Sequence, residues 1–212
     1  MTQKVIIFDF DGTIADTVDA LVCIANNLAV QFGYIPITAN ELALLRNLTA
    51  REIISYSGIS IFKIPFLVKK VKAELKDKIP CLKPITGIRE ALIELNNQGY
   101  RLGIITSNSQ ENVTEFLKVN NLDYLFDFIE SGVTIFGKTT IINNVLRQKN
   151  LKLQTVMYVG DETRDIEASK KANIKVIAVT WGFNSHEALA KKHPDFLIHQ
   201  PRELIDVVKE FD

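Results

Sequence analysis

Val5-Ile6-Ile7-Phe8-Asp9-Phe10-Asp11-Gly12-Thr13 decides how this chain is read. Its apolar run predicts a strand buried on both faces. The run stops at two carboxylates spaced two apart, then a glycine and a threonine. Two aspartates where a strand leaves its sheet lie close together, and like charges at that range repel unless a cation or a raised pKa relieves them. The segment therefore predicts a bound hard metal ion or a proton-sharing pair. The plainer alternative is a strand followed by a polar turn, since Asp, Gly and Thr are ordinary turn residues.

Outward from this stretch, residues beyond 84 alternate strand and helix. Helix 87–97 carries Ile88, Ala91, Leu92 and Leu95 at helical spacing, with Gly99 as its stop. Strand 101–106 follows, then a helix with Val113, Phe116 and Leu117 that Ser109 caps. Strands at 126–130, 155–160, 175–180 and 196–198 are separated by helices at 139–149, 163–172 and 185–192, and a helix at 201–211 closes the chain. This alternation predicts an α/β fold: a Rossmann-like parallel sheet with helices on both faces and ligands at the carboxyl ends of the strands. Residues 15–82 differ. Helices at 16–32, 39–45, 50–56 and 64–76 form an inserted all-α cap domain, leaving 1–14 and 83–212 as the core. The crossings at 14–17 and 79–85, the second with Pro80 and Pro84, are the expected hinges.

Composition narrows the function classes. The 212 residues hold 25 Lys and Arg against 25 Asp and Glu, so no basic excess is available for a nucleic-acid backbone. No stretch approaches the roughly 18 apolar residues of a membrane span, and Met1-Thr2-Gln3-Lys4 runs straight into the first strand without a signal peptide. Cys23 and Cys81 lack metal-ligand spacing and read as reduced, structural residues of a cytoplasmic protein.

Four predicted strand ends carry chemistry: Asp9 and Asp11; Thr106-Ser107-Asn108; Lys138 in Phe136-Gly137-Lys138-Thr139; and Gly160-Asp161-Glu162-Thr163-Arg164-Asp165. Singly, each has a plain reading: a capping turn at 106–108, a solvated lysine at 138, an acidic helix N-terminus at 160–165. In order along one sheet they specify phosphoryl transfer. Asp9 is the candidate nucleophile and Asp11 the acid that protonates the leaving oxygen and then activates water. Thr106 and the Ser107 N–H hold phosphate oxygens, Asn108 is a further candidate substrate-binding residue, and Lys138 offsets the anionic transition state. Asp161 adds a carboxylate for Mg2+, which takes one or two carboxylates with waters and phosphate.

On these four motifs, spread over essentially the whole chain, the sequence resembles the haloacid dehalogenase-like hydrolase superfamily in its phosphatase branch, with an insert similar to the small cap of subfamily I. The resemblance implies Asp9 as nucleophile and metal ligand, Asp11 as general acid/base and metal ligand through its backbone carbonyl, and Asp161 as the third protein ligand. Asp165 is implied to orient Lys138 or a metal-bound water. Glu162 stands where many relatives carry a small hydroxyl residue and is an alternative ligand. Val179-Thr180-Trp181-Gly182-Phe183-Asn184 is similar to phosphoglycolate phosphatase relatives.

The expectation is a Mg2+-dependent phosphomonoester hydrolase for a small phosphorylated metabolite, 2-phosphoglycolate as first guess, acting as monomer or homodimer. A sugar-phosphate mutase and a non-catalytic assembly protein are the alternatives. Asp11 argues against a dehalogenase. A phosphonatase needs a cap lysine for a Schiff base, and Lys63, Lys69, Lys70, Lys72, Lys76 and Lys78 all fall late in the insert. Arg46, in Leu45-Arg46-Asn47-Leu48-Thr49, is a candidate for a substrate carboxylate or second phosphate, or else a solvated helix-end residue. Ile59, Ile61, Phe62 and Phe66 are expected in the cap core rather than on a dimer surface.

Overall fold

The computed structural model describes residues 4–132 and 137–211; Met1, Thr2, Gln3 and Phe136 of the Lys138 stretch lie outside them. Among the described residues six parallel strands form one sheet: β1 (Val5–Phe8), β2 (Arg101–Ile105), β3 (Phe126–Glu130), β4 (Val156–Gly160), β5 (Lys175–Val179) and β6 (Phe196–Ile198). Their order, β3-β2-β1-β4-β5-β6, puts β1 in the middle. The carboxyl end of β1 is therefore the point from which the connections diverge to opposite edges, where open α/β sheets form their crevice.

Alternation along β1 divides the interior. Ile6 and Phe8 face a cluster with Leu92, Leu95 and Phe116, whereas Val5 and Ile7 face Ile142, Val145 and Ala168. Among the described residues five α-helices separate β1 from β2, and the first four fall in the insert: α1 (Val18–Phe32), α2 (Ala39–Leu45), α3 (Ala50–Ser57) and α4 (Ile64–Lys76). Of these, α1 stops at Gly33, whose φ of 79° lets its N–H reach the Ala29 carbonyl at 2.8 Å. Helices α2 and α3 each open on a Thr/Glu capping box, Thr38 with Glu41 and Thr49 with Glu52. The remaining helices are α5 (Ile88–Asn97), α6 (Gln110–Val119), α7 (Lys138–Gln148), α8 (Thr163–Lys171), α9 (His186–Ala190) and α10 (Leu204–Val207).

The helical insert is not loosely appended. Ile24, Leu28, Phe32, Leu75 and Ile79 share one buried cluster with Phe10, Ile14 and Phe116. The two crossing segments run side by side: Asp16 N–H donates to the Lys83 carbonyl at 3.0 Å and Ile85 N–H to the Ile14 carbonyl at 2.9 Å.

Several expectations need correction. Ile61, Phe62 and Phe66 are 61%, 83% and 68% exposed, not core: Ile61 and Phe62 lie on the 3-10 turn before α4, and Phe66 is off the Leu67, Val71 and Leu75 face by which α4 joins the core; Ile59 is half-buried. Cys23 and Cys81 are free and exposed, so neither has the structural role expected of it. The helix expected at 201–211 breaks into a 3-10 turn, the single turn α10 and a second 3-10 turn. No helix among the described residues is long and apolar enough to cross a membrane.

Phe10, the residue between the two aspartates, meets Phe116 edge-to-face at 5.1 Å. Phe116→Ala should lower unfolding stability by about 3–5 kcal/mol, read as a reduced urea midpoint. A loss under about 1 kcal/mol would show that the Asp9–Asp11 turn is not anchored by this contact.

Candidate active site

Asp9 directly follows β1. Its N–H extends the ladder to the Val159 carbonyl at 2.8 Å, its Oδ1 accepts the Phe10 N–H at 2.7 Å, and its Oδ2 accepts Lys138 Nζ at 2.6 Å. The chain then turns through Gly12 at φ 74°, where a Cβ would collide with the Asp161 carboxylate. A left-handed turn and a close approach are both needed there, and glycine alone meets both. Asp11 faces another neighbour: Asn108 Nδ2 lies 3.1 Å from each of its carboxylate oxygens. Burial, and secondarily the charge of Asp9, push its pKa up to about 7, while the Thr17 hydroxyl and the Asn108 amide oppose the rise. A carboxyl poised there can give and take a proton near neutral pH.

Lys138 opens α7 and is 2% exposed. Besides Asp9 it pairs with Asp165, and its ammonium lies 5.2 Å from the Tyr158 ring centroid. Burial alone would push its pKa down, but Asp165 and Asp9 more than offset this and hold it well above the usual lysine range. The charge is fixed in place.

The end of β4 delivers Asp161 and the start of α8 delivers Asp165. Thr13 Oγ1 donates to Asp161 Oδ1 at 2.6 Å and Phe183 N–H to its Oδ2 at 2.7 Å. Burial, then the charges of Glu162, Asp165 and Asp9, raise its pKa well above the carboxylate norm. Asp165 is also raised, by burial first, although Lys138 pulls it down. Asp9, Asp161 and Asp165 each present an oxygen within 4.8 Å of the others, all three buried. Carboxylates packed this tightly are a donor set that a hard divalent cation fits and relieves. Glu162 stands apart from that trio. Its Oε1 accepts Arg164 Nη2 at 2.6 Å, and its side chain caps α8.

Thr106 is buried after β2, and its hydroxyl accepts the Asn108 N–H at 3.0 Å, forming the tight turn that the sequence places here. Ser107 lies between them, half-buried. Asn108 Oδ1 accepts the Ser109 N–H at 2.8 Å and Asn112 Nδ2 at 3.0 Å, which fixes its amide with Nδ2 towards Asp11. Asn112 Nδ2 also donates to the Lys72 carbonyl of α4 at 3.0 Å. Arg46 lies where the helical insert meets the core. Its Nη2 donates to the Gly182 carbonyl at 2.6 Å, and its own carbonyl accepts Ser185 N–H at 2.8 Å and Asn184 Nδ2 at 2.9 Å. Arg46 thus ties the 46–48 loop to the loop after β5.

Sequence reasoning assigned no role to Thr13, Asn112 or Arg164. Arg164 had a usable signal, since it stands between two acidic motif residues on the first turn of a helix that starts at the site. Asn112 and Lys72 had none, being 40 positions apart.

The chain belongs to the haloacid dehalogenase-like hydrolases, whose family model matches residues 6–179. Among proteins it is similar to, a phosphoglycolate phosphatase of Synechococcus elongatus is 37% identical over 208 residues, 98% of either chain. A pyrophosphatase PpaX of Listeria monocytogenes is 25% identical over 225 residues, 99% of either chain. A haloacid dehalogenase-like family hydrolase of Streptococcus pneumoniae has the same fold, with a TM-score of 0.78 at 23% identity over 99% of both chains.

Gly182 lies against the acidic trio, and a Cβ there would overlap the Asp161 side chain itself. Gly182→Ala should raise the Kd for Mg2+ at least about tenfold in titration calorimetry, with the melting temperature largely kept. Unchanged Mg2+ affinity would remove Asp161 from the cation site.

Proposed function

We propose that this chain is a Mg2+-dependent phosphomonoester hydrolase for a small phosphorylated metabolite, 2-phosphoglycolate foremost. The observation that carries this reading is the placement of two unlike carboxyls at one strand end: Asp9, bound by Lys138, and Asp11, held near neutrality by burial and its neighbour. One is equipped to attack, the other to move protons. The 37% identity to a phosphoglycolate phosphatase supports the choice of substrate.

In this reading an Asp9 carboxylate oxygen forms a bond to phosphorus while the bond from phosphorus to the alcohol oxygen breaks. Asp11 gives its proton to that departing oxygen. In the second half Asp11, now a carboxylate, takes a proton from water as the water oxygen bonds to phosphorus, and the acyl-phosphate bond to Asp9 breaks to release inorganic phosphate. Lys138 faces the charge that spreads over the phosphoryl oxygens, and Asp165 keeps Lys138 in place. Thr106 and the Ser107 N–H close the other side. Asp9, Asp161 and the Asp11 backbone carbonyl are the groups proposed to hold Mg2+, which when bound offsets the repulsion between the phosphate and the attacking carboxylate.

Phosphate release from a panel of small phosphomonoesters, with Mg2+ and with EDTA, tests the proposal. Expected are turnover that EDTA stops, loss of that turnover in Asp9→Asn, and a fall in kcat of about a hundredfold or more in Lys138→Met. Turnover that survives either EDTA or Asp9→Asn would overturn the mechanism. Isomerisation of a sugar phosphate without net release would replace it with the mutase reading.

A further inference from the structure

Arg164 and Lys72 are two cations that the reaction above does not use. Arg164 comes from the core, on the first turn of α8, and Lys72 comes from the insert, on α4. Glu162 takes Arg164 Nη2 at 2.6 Å, yet Arg164 Nε is buried and meets no acceptor. A buried guanidinium donor without a partner is costly to keep. Lys72 is placed over the site by its backbone: its carbonyl receives Asn112, whose other bond goes to Asn108, which holds Asp11. It is half-buried and forms no ion pair among the described residues.

Burial first, and then the charge of Arg164, hold the Lys72 ammonium below the usual lysine range, while Asp11 opposes the fall; Arg164 for its part lies within reach of Glu162, Asp9 and Asp165. Neither cation forms an ion pair with the acidic trio among the described residues: Lys138 pairs with Asp9 and Asp165, and Arg164 pairs with Glu162. Like charges brought together from the two parts of a molecule, one with an unsatisfied donor, are relieved by an anion between them. We propose that Arg164 and Lys72 form the subsite for a carboxylate on the leaving side of the substrate.

The position limits the ligand. Asp11 protonates the leaving oxygen, so an anion beside Asp11 sits a short linker away from that oxygen. The donor count favours a carboxylate over a second phosphate. The amides at the start of α8 that would serve a phosphate are occupied, Glu162 N–H by Asp165 at 3.0 Å and Thr163 N–H by Asn184 at 2.8 Å. What remains suits two oxygens in a plane. This subsite deepens the hydrolase reading and rests on it.

The test compares 2-phosphoglycolate with ethyl phosphate, which keeps the two-carbon frame but has a methyl in place of the carboxylate. Calorimetric Kd values are measured with Mg2+ on Asp9→Asn protein, so that binding is read without turnover. The preference for 2-phosphoglycolate should collapse at least about tenfold in Arg164→Met and also fall in Lys72→Met, which leaves α8 intact. A preference preserved within about twofold in both variants overturns the subsite, whether the two affinities stay the same or fall together. In the second case Arg164 holds the phosphoryl group itself or the fold. Failure of the hydrolase reading is seen separately, as absence of Mg2+-dependent turnover in the unmodified enzyme.

Discussion

Mutual repulsion among buried carboxylates is the constraint around which this molecule is arranged. The carboxyl ends of two adjacent central strands deliver Asp9, Asp11 and Asp161 to one place, and α8 adds Asp165. Packed acids of this kind are stable only with compensation. The protein supplies part of it from its own residues: Lys138 between Asp9 and Asp165, and the Thr13 hydroxyl and Phe183 amide on Asp161. The raised pKa values of Asp11 and Asp161 show that the compensation is incomplete. In the proposed reaction a divalent cation and a phosphate ester would complete it.

The unequal surroundings of the acids suit them to different tasks in the proposed reaction. Asp9 is fixed by a charge-assisted bond to a lysine, so its carboxylate form is aimed. Asp11 is only two residues on, yet the Gly12 turn points its carboxyl to an amide instead of a cation, and burial keeps its proton near neutral pH. Asn108 and Asn112 continue that contact to the α4 backbone, so the acid is linked by hydrogen bonds to the helical insert. The Arg46 tie to Gly182 makes a second junction on the other side of the cleft.

Much of this was legible in the sequence, for identifiable reasons. Buried parallel strands are continuous apolar runs, so β1, β2, β4 and β5 announce themselves, and β1, β2 and β4 are followed at once by candidate site residues. Capping signals at Thr38, Thr49 and Ser109 place helix starts. What could not be read was which face of a short helix finds cover. Phe66 looks like a core residue, and its exposure follows from α4 joining the core by its Leu67, Val71 and Leu75 face. Contacts between distant segments were equally hidden, as with Asn112 and Lys72, or Arg46 and Gly182, 136 positions apart. Arg46 illustrates the difference: its residue type suggests an anion ligand, while its nearest acceptor is a backbone carbonyl.

The central claim is that Asp9 carries the phosphoryl group between the two halves of the reaction. It is tested most directly by acid-quenching Asp11→Asn enzyme during turnover of p-nitrophenyl phosphate, whose leaving group departs without a proton, and locating the phosphoryl group by peptide mass spectrometry. Without Asp11 to activate water the covalent form should accumulate. The account predicts phosphate on Asp9. Phosphate on any other residue, or continued p-nitrophenol release with no covalent form at any time point, would contradict it.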